Sequence, residues 1–241
     1  MKSDTNVRSQ LSRYKWKRLA KEALINAFRL RRDANLLYDA GSYPSSYQLA
    51  VLSLEELSKA CWVEHYYYSS LTNTGFPNAD FEQEFLRILY LHGKKQVAFI
   101  APNEFEYPIA LIDFIKSGGL ERRKQQAVYV GLDRDRKTVH VKSRISVPRT
   151  TISLREAKRL ISWITSEFVF MMDRLEEYGE YFGVPGMDEI LRSQDAQDAK
   201  KWPHKSRTRS RSHQKSHLLR YKEVFEAAAQ AYLEKQAKGT S

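Results

Sequence analysis

Cysteine is almost absent from this sequence of 241 residues, in which Cys61 is the only one. A single cysteine cannot form an intrachain disulfide or a multi-cysteine zinc site, and this composition is typical of proteins of a reducing cytosol. No apolar run approaches the roughly 20 residues that span a bilayer. The N-terminal segment is too polar to supply the apolar region of a signal peptide. We therefore expect a cytoplasmic protein without a membrane segment.

Acidic side chains are missing from residues 200–222, which contain nine basic residues. The preceding part is nearly balanced, since residues 1–199 contain 29 basic and 26 acidic side chains. Nine uncompensated charges repel one another in a free chain, and contact with a polyanion removes this repulsion. A flexible, solubilising tail is the alternative. The predicted RNA-binding residues are Lys201, Lys205, Arg207, Arg209, Arg211 and Lys215.

Most of the chain has helical periodicity and an apolar content, 42%, that is sufficient for a core. Gly41 predicts the end of a first helix, and Ser153 with Glu156 has the spacing of a capping box that opens a long one. The predicted helices cover residues 13–40, 45–68, 80 to just before Pro102, 106–116, 153–178 and 220–236, with one further turn at 187–192.

Two short apolar runs, residues 127–132 and 138–141, flank the polar sequence Asp-Arg-Asp-Arg. This pattern predicts a β-hairpin near residues 127–141. We therefore expect an all-α helical bundle with a small appended hairpin and a basic C-terminal segment. The predicted domains are a helical domain at 14–180 and a basic linker with a C-terminal helix at 181–241.

Arg87 and His92 form an Arg-x4-His spacing in the sequence FLRILYLHGKK. On one ideal helix five residues turn through about 140°, so the two side chains would not share a face. Their convergence needs a distortion, a helix end or a second subunit. The alternative is that Arg87 is solvated and His92 is a hydrogen-bonded core histidine in line with Phe85 and Leu89.

Glu55, Glu56 and Lys59 stand together in the sequence LSLEELSKA, within an unusually apolar predicted helix. Carboxylates three and four positions before a lysine can form an ordinary ion pair on a helix surface. Charges set in so apolar a helix also suit a groove or a partner surface, because burying an unpaired charge is unfavourable.

The order of several segments resembles the AbiV family of abortive-infection proteins over residues 20–178. RRDANLLYDAGSYPSSYQLAVLSLEELSKA is similar to the family's aromatic-Gly turn followed by Glu-Glu-x-x-Lys. His92 with Lys94 or Lys95 resembles its His-Lys-rich helix, and AVYVGLD resembles a further family strand before a long closing helix.

The resemblance implies membership of the HEPN group, whose helical bundles commonly dimerise and often cleave RNA without a metal through an Arg-x4–6-His motif. Arg87 would then bind the scissile phosphate and His92 would assist proton transfer, leaving a 2′,3′-cyclic phosphate. Supporting roles would fall to Glu55, Glu56, Lys59 and Lys95, with no cofactor or metal. Ile88 departs from the family pattern, because HEPN nucleases frequently have a polar residue directly after the arginine.

Three functions follow as hypotheses. The first is a homodimeric endoribonuclease or translation-blocking toxin that acts on tRNA, rRNA or the ribosome, with a phage protein as activator. The second is a non-catalytic binding module that captures a phage protein, RNA or ribosome. The third is a nucleotide-binding partner of a nucleotidyltransferase antitoxin.

Overall fold

A computed structural model describes residues 10–72, 79–132, 138–179 and 184–204, which are mostly helical. The helices are α1 (Arg13–Asp39), α2 (Tyr43–Thr72), α3 (Ala79–Ile88), α4 (His92–Ile100), α5 (Ile109–Lys116), α6 (Gly119–Gln126), α7 (Pro148–Thr151), α8 (Leu154–Tyr178), α9 (Met187–Leu191) and α10 (Gln194–Lys200), with a 3₁₀ turn at Ala101–Glu106. None of these helices is long and apolar enough to cross a membrane.

The first two helices form a closely packed antiparallel pair. Gly41 has φ of 76°, a left-handed conformation that ends α1 and reverses the chain. Buried serines of α2 donate to carbonyls of α1, from Ser46 to Ala34 at 2.7 Å and from Ser53 to Ala27 at 2.7 Å. These contacts require small residues between the helices, and α1 supplies buried alanines on that face.

Helix α8 completes the core against α1 and α2. The predicted capping box is present, since Ser153 accepts from the amide of Glu156 and the Glu156 carboxylate accepts from the amide of Ser153. Phe168 of α8 stacks on Phe28 of α1 with ring centroids 3.9 Å apart. The prediction of a long helix that ends near residue 178 is confirmed, and Gly179 ends it with φ of 80°.

The single helix predicted from residue 80 to Pro102 is wrong, because the chain breaks it between Ile88 and His92. Leu91 adopts an extended conformation, with φ of −90° and ψ of 107°, and α4 starts from it. The apolar stripe that predicted one helix included His92, which instead turns toward a buried carboxylate of α2. A buried polar contact here outweighs continuity of the helix.

Helix α3 is also held by a buried carboxylate. Glu82 accepts from the backbone amides of Gln10 at 2.8 Å and Leu11 at 3.2 Å, and the Tyr66 hydroxyl lies 3.4 Å away. These contacts join α3 to α2 and to the start of α1.

The predicted β-hairpin near residues 127–141 is not supported, because the described residues there contain no strand pair. The amides of Val128 and Tyr129 both donate to the carbonyl of Gln125, so they continue the end of α6 rather than a ladder. An isolated antiparallel bridge joins Gly131 to Ser146 instead. The polar turn of the predicted hairpin, residues 133–137, lies outside the described residues.

Residues 184–204 pack on the bundle. Trp202 is buried, donates from Nε1 to Oγ of Ser162 on α8 at 3.0 Å, and meets Tyr38 of α1 edge to face. The Arg31 guanidinium lies 5.9 Å from the Trp202 ring. The helix predicted at 220–236 lies outside the described residues, and the predicted division at residue 180 stays a prediction.

Candidate functional site

The most strongly polar cluster of the core lies where α2, α4 and α6 meet. Its centre is Glu55, which is fully buried although it carries a carboxylate. Such a group remains ionised in a core only when cations and hydrogen-bond donors surround it. Four side chains supply this environment: His92, Lys95, Gln96 and Lys124.

His92 contacts Glu55 through one ring nitrogen. Nδ1 of His92 lies 2.5 Å from Oε2 of Glu55, and the histidine side chain is 52% exposed whereas the glutamate side chain is 1% exposed. An ionised carboxylate only accepts hydrogen bonds, so Nδ1–H must be the donor. The other ring nitrogen, Nε2, is then the proton acceptor of a neutral imidazole.

The Glu-Glu-x-x-Lys sequence divides its two carboxylates between different partners. Glu56 accepts from Lys59 at 3.2 Å and from Nδ2 of Asn26 at 3.3 Å. Lys95 lies between the two carboxylates, 3.6 Å from Glu55 and 3.8 Å from Glu56. The predicted supporting residues are therefore brought together, and Glu55 is the one that contacts His92.

Three members of the cluster were missed by the sequence analysis: Gln96, Glu121 and Lys124. Lys124 donates to Oε1 of Glu55 at 2.9 Å and to Oε2 of Glu121 at 2.7 Å. Gln96 donates to the same two oxygens, each at 2.8 Å. Glu121 and Lys124 lie on α6, where no helix was predicted from the sequence. Their i, i+3 spacing is the signal that indicates a helix.

The cluster holds Glu55 and Glu121 in the charged state. Burial raises the pKa of Glu55, but hydrogen bonds from His92 and Gln96 and the charge of Lys124 outweigh it, so the pKa lies below its usual range. Burial likewise raises the pKa of Glu121, and hydrogen bonds from Lys124 and Gln125 reverse the effect. Glu55 is therefore a permanent acceptor for His92 near neutral pH.

An open groove of about 1380 Å³ lies beside this cluster, and His92 is part of its wall. Lys94 and Arg122 also line it, are exposed, and have no ion-pair partner among the residues that the structure describes. Tyr129 stands at the groove with 60% of its surface exposed. The groove thus combines an oriented imidazole, two available cations and an exposed aromatic ring.

Arg87 does not reach this groove within one chain. It is exposed at the end of α3 and binds Glu84, with distances of 2.8 Å from Nε and 2.6 Å from Nη2. It lines a separate depression of about 480 Å³ with Asp80, Gln83 and Tyr90. The two residues of the Arg-x4-His motif therefore lie on different helices and face different surfaces.

The basic segment enters the described part of the chain only at its beginning. Lys201 is exposed and lies 2.6 Å from Asp198 of α10. The other predicted RNA-binding residues, Lys205, Arg207, Arg209, Arg211 and Lys215, lie outside the described residues.

Within the described ranges, no group of three or more His, Cys, Asp and Glu residues is arranged to hold a metal ion. The carboxylates nearest His92 are occupied by lysines, and this is unfavourable for a cation.

The fold and the site define a helical bundle in which a buried glutamate orients a histidine at a basic groove. The HEPN AbiV family model matches residues 15–165, which extend from α1 into α8 and contain the entire Glu55 cluster. The chain belongs to the AbiV family of HEPN proteins, and this family connects it with abortive infection. Comparisons with curated proteins and with solved structures gave no significant match.

Proposed function

We propose that this protein is an abortive-infection endoribonuclease that uses His92 to transfer a proton and needs no metal. The observation that carries the proposal is the contact between Nδ1 of His92 and the buried carboxylate of Glu55. A carboxylate on one ring nitrogen selects the tautomer and leaves the other nitrogen available for acid–base chemistry. Family membership supports the abortive-infection role.

The proposed reaction is attack of a ribose 2′-hydroxyl on the adjacent phosphorus. Nε2 of His92 accepts the 2′-hydroxyl proton as the new P–O bond forms. The P–O5′ bond breaks, and the departing oxygen takes a proton from a water molecule to become a 5′-hydroxyl. The proton that His92 then releases neutralises the hydroxide left behind. The other product end is a 2′,3′-cyclic phosphate. No oxidant, metal or cofactor enters this balance.

The groove provides the electrostatic part of the proposal. Lys94 and Arg122 line it together with His92, so a phosphate beside the imidazole lies within reach of positive charge. Cations preorganised at a developing phosphorane stabilise the transition state more than the ground state. Tyr129 offers a face on which an unpaired base can stack, a contact worth about 1–3 kcal/mol per base. Single-stranded RNA, as in loops of tRNA or rRNA, is therefore the proposed substrate class.

Arg87 enters this site only from a second copy of the chain. Both side chains of its ion pair with Glu84 are exposed, so solvent weakens the pair and a phosphate can replace the carboxylate. In a two-fold homodimer, Arg87 of each chain lies near the groove of the other and binds the scissile phosphate. A phage protein is the proposed trigger of the assembled site.

The decisive experiment incubates the purified full chain with total RNA in EDTA and sequences the new ends. The wild-type protein is expected to leave 2′,3′-cyclic phosphates, and His92→Gln to lose at least about a hundredfold in rate. His65→Gln is the matched control, because His65 is an exposed histidine of α2 away from the groove. Absence of cutting by the wild-type protein, or equal cutting by His92→Gln, contradicts the proposal.

A second candidate function is a non-catalytic module that captures a phage protein, RNA or ribosome. The separation of Arg87 from His92 within one chain and the apolar Ile88 beside Arg87 favour it. A pull-down that retains RNA or ribosomes equally with wild-type protein and with Arg87→Ala/His92→Ala, without RNA cleavage, supports this alternative.

A further inference from the structure

Four side chains form a closed ring of hydrogen bonds behind His92. Oε1 of Glu55 accepts from Lys124 at 2.9 Å and from Gln96 at 2.8 Å. Oε2 of Glu121 accepts from the same two donors, at 2.7 Å and 2.8 Å. Each donor thus bridges the same pair of carboxylates. The ring ties α6 to α2 and α4 at one point.

The two carboxylate oxygens of Glu55 have different hydrogen-bond partners. Oε1 is used by the ring, whereas Oε2 faces Nδ1 of His92 and lies 3.6 Å from Lys95. A carboxylate that is held at one oxygen cannot rotate without breaking two hydrogen bonds. The ring therefore determines the position of the oxygen that orients the imidazole.

The carboxylates and the lysines of the cluster are equal in number. Three carboxylates are paired with three lysines: Glu55, Glu56 and Glu121 with Lys59, Lys95 and Lys124. Lys124 is 7% exposed at its side chain, so solvent screens its charge only weakly. Loss of this one ammonium leaves a surplus negative charge directly behind the imidazole.

We propose that Lys124, together with Gln96 and Glu121, is a positioning residue that orients His92 through Glu55 and sets the pH range in which the imidazole is a base. This inference rests on the proposed acid–base role of His92. The charged groups of the cluster and of the groove wall come from four elements. They are Glu55 and Glu56 from α2, Lys94 and Lys95 from α4, Glu121, Arg122 and Lys124 from α6, and Lys116 at the end of α5, which is paired with Glu104.

The test follows the imidazole titration of His92 by NMR in the full chain, without RNA. Six histidines are present, and the His92 signal is the one that His92→Gln removes. Lys124→Met should raise the titration midpoint by about one pH unit, because the surplus carboxylate stabilises the protonated ring. Glu121→Gln removes an anion instead and should lower the midpoint. The double variant restores the balance and should return close to the wild-type midpoint.

Lys59→Met is the matched control for charge. It also removes one ammonium from the cluster, but Lys59 pairs with Glu56 and not with Glu55. Its effect on the His92 midpoint should be clearly smaller than that of Lys124→Met. Circular dichroism at each pH establishes that the variants remain folded, and Glu121→Gln alone provides a test if Lys124→Met does not fold.

Cleavage gives a second and separate result. Lys124→Met should shift the acidic limb of the pH–rate profile upward by the same amount and lower kcat by about tenfold to a hundredfold, with KM little changed. Midpoints that are the same in wild type, Lys124→Met and Glu121→Gln overturn the inference. If the midpoints shift as expected but the wild-type protein does not cleave RNA, the proposed function is contradicted. The coupling of Lys124 to His92 is then still supported.

Discussion

Oε2 of Glu55 lies 2.5 Å from Nδ1 of His92, although 37 positions separate the two residues in the chain. The glutamate is sealed inside the bundle, whereas the histidine opens onto the groove. A charge that is inaccessible to solvent therefore acts on a surface where a ligand can bind.

Replacing Glu55 should cost both stability and activity. Glu55→Gln keeps the size of the side chain but leaves the buried ammonium groups of Lys95 and Lys124 with one carboxylate each, Glu56 and Glu121, instead of two. Breaking a buried ion pair on one side costs about 3–5 kcal/mol, so we expect a loss of roughly 3 kcal/mol in the free energy of unfolding. Urea denaturation followed by circular dichroism measures it.

Glu56→Gln is the comparison for this change, since Glu56 is adjacent in sequence but 16% exposed at its side chain. Its expected cost is about 1 kcal/mol, the scale of a partly exposed pair. Equal costs for the two variants would show that burial of Glu55 is not the source of the effect.

The stabilising effect of Glu55 should disappear in acid. Burial raises its pKa, but the hydrogen bonds from His92 and Gln96 and the charge of Lys124 lower it by more, so the pKa in the folded protein lies below its ordinary value of 4.5. Such a group stabilises the fold above its unfolded pKa, and this stability is lost as pH falls through the folded pKa. The difference in unfolding free energy between wild type and Glu55→Gln should be constant near pH 7 and shrink steadily below about pH 4.5. A difference that grows in acid would contradict the assignment.

Mixing two inactive variants tests whether Arg87 acts across a dimer. In a mixed dimer of Arg87→Ala and His92→Gln, one composite site lacks both residues and the other has both. Because random exchange makes half of the dimers mixed, about a quarter of wild-type cleavage should return if each groove takes one Arg87 from its partner. Each variant alone should remain inactive.

The control for Arg87 is Arg18→Ala. Arg18 also forms an exposed ion pair with a glutamate on its own helix, Glu22. It should leave cleavage and melting temperature unchanged. No recovery of activity on mixing, with intact dimers present, would place Arg87 outside the composite site.

Trp202 should anchor residues 193–204 to the bundle. Trp202→Ala removes a buried ring and the hydrogen bond to Ser162, changes worth about 3–5 kcal/mol when a core tryptophan is truncated. Amides of α10 should exchange with deuterium much faster, while those of α2 change little. His204→Ala, which removes an exposed neighbour of the same ring, should leave exchange in α10 as it is. Unchanged exchange in Trp202→Ala would contradict the anchoring role.

Local signals in the sequence were sufficient to predict the long helices. Gly41 ends α1 and the Ser153 capping box opens α8, and both signals act within one turn of the chain. The break before His92 and the bridge between Gly131 and Ser146 depend instead on contacts between residues that lie outside one turn of the chain. Periodicity cannot predict them, because it reports only which side chains share a face.

The same distinction applies to the site. Glu55 was singled out as a charge in an apolar helix and His92 through the Arg-x4-His spacing, but their direct contact depends on how α4 packs against α2. Lys124 was missed because α6 is polar along its length and its buried face becomes evident only in the folded bundle. The separation of Arg87 from His92 follows from the same break in the helix.

The turn between Ile88 and His92 also bears on how freely the spacing of the motif can vary. Inside a continuous helix, one inserted residue would swing every later side chain by about 100°. A turn absorbs an insertion locally, as connecting segments generally do. A chain with five or six residues between arginine and histidine can thus keep the imidazole docked on its glutamate, and only the placement of the arginine changes.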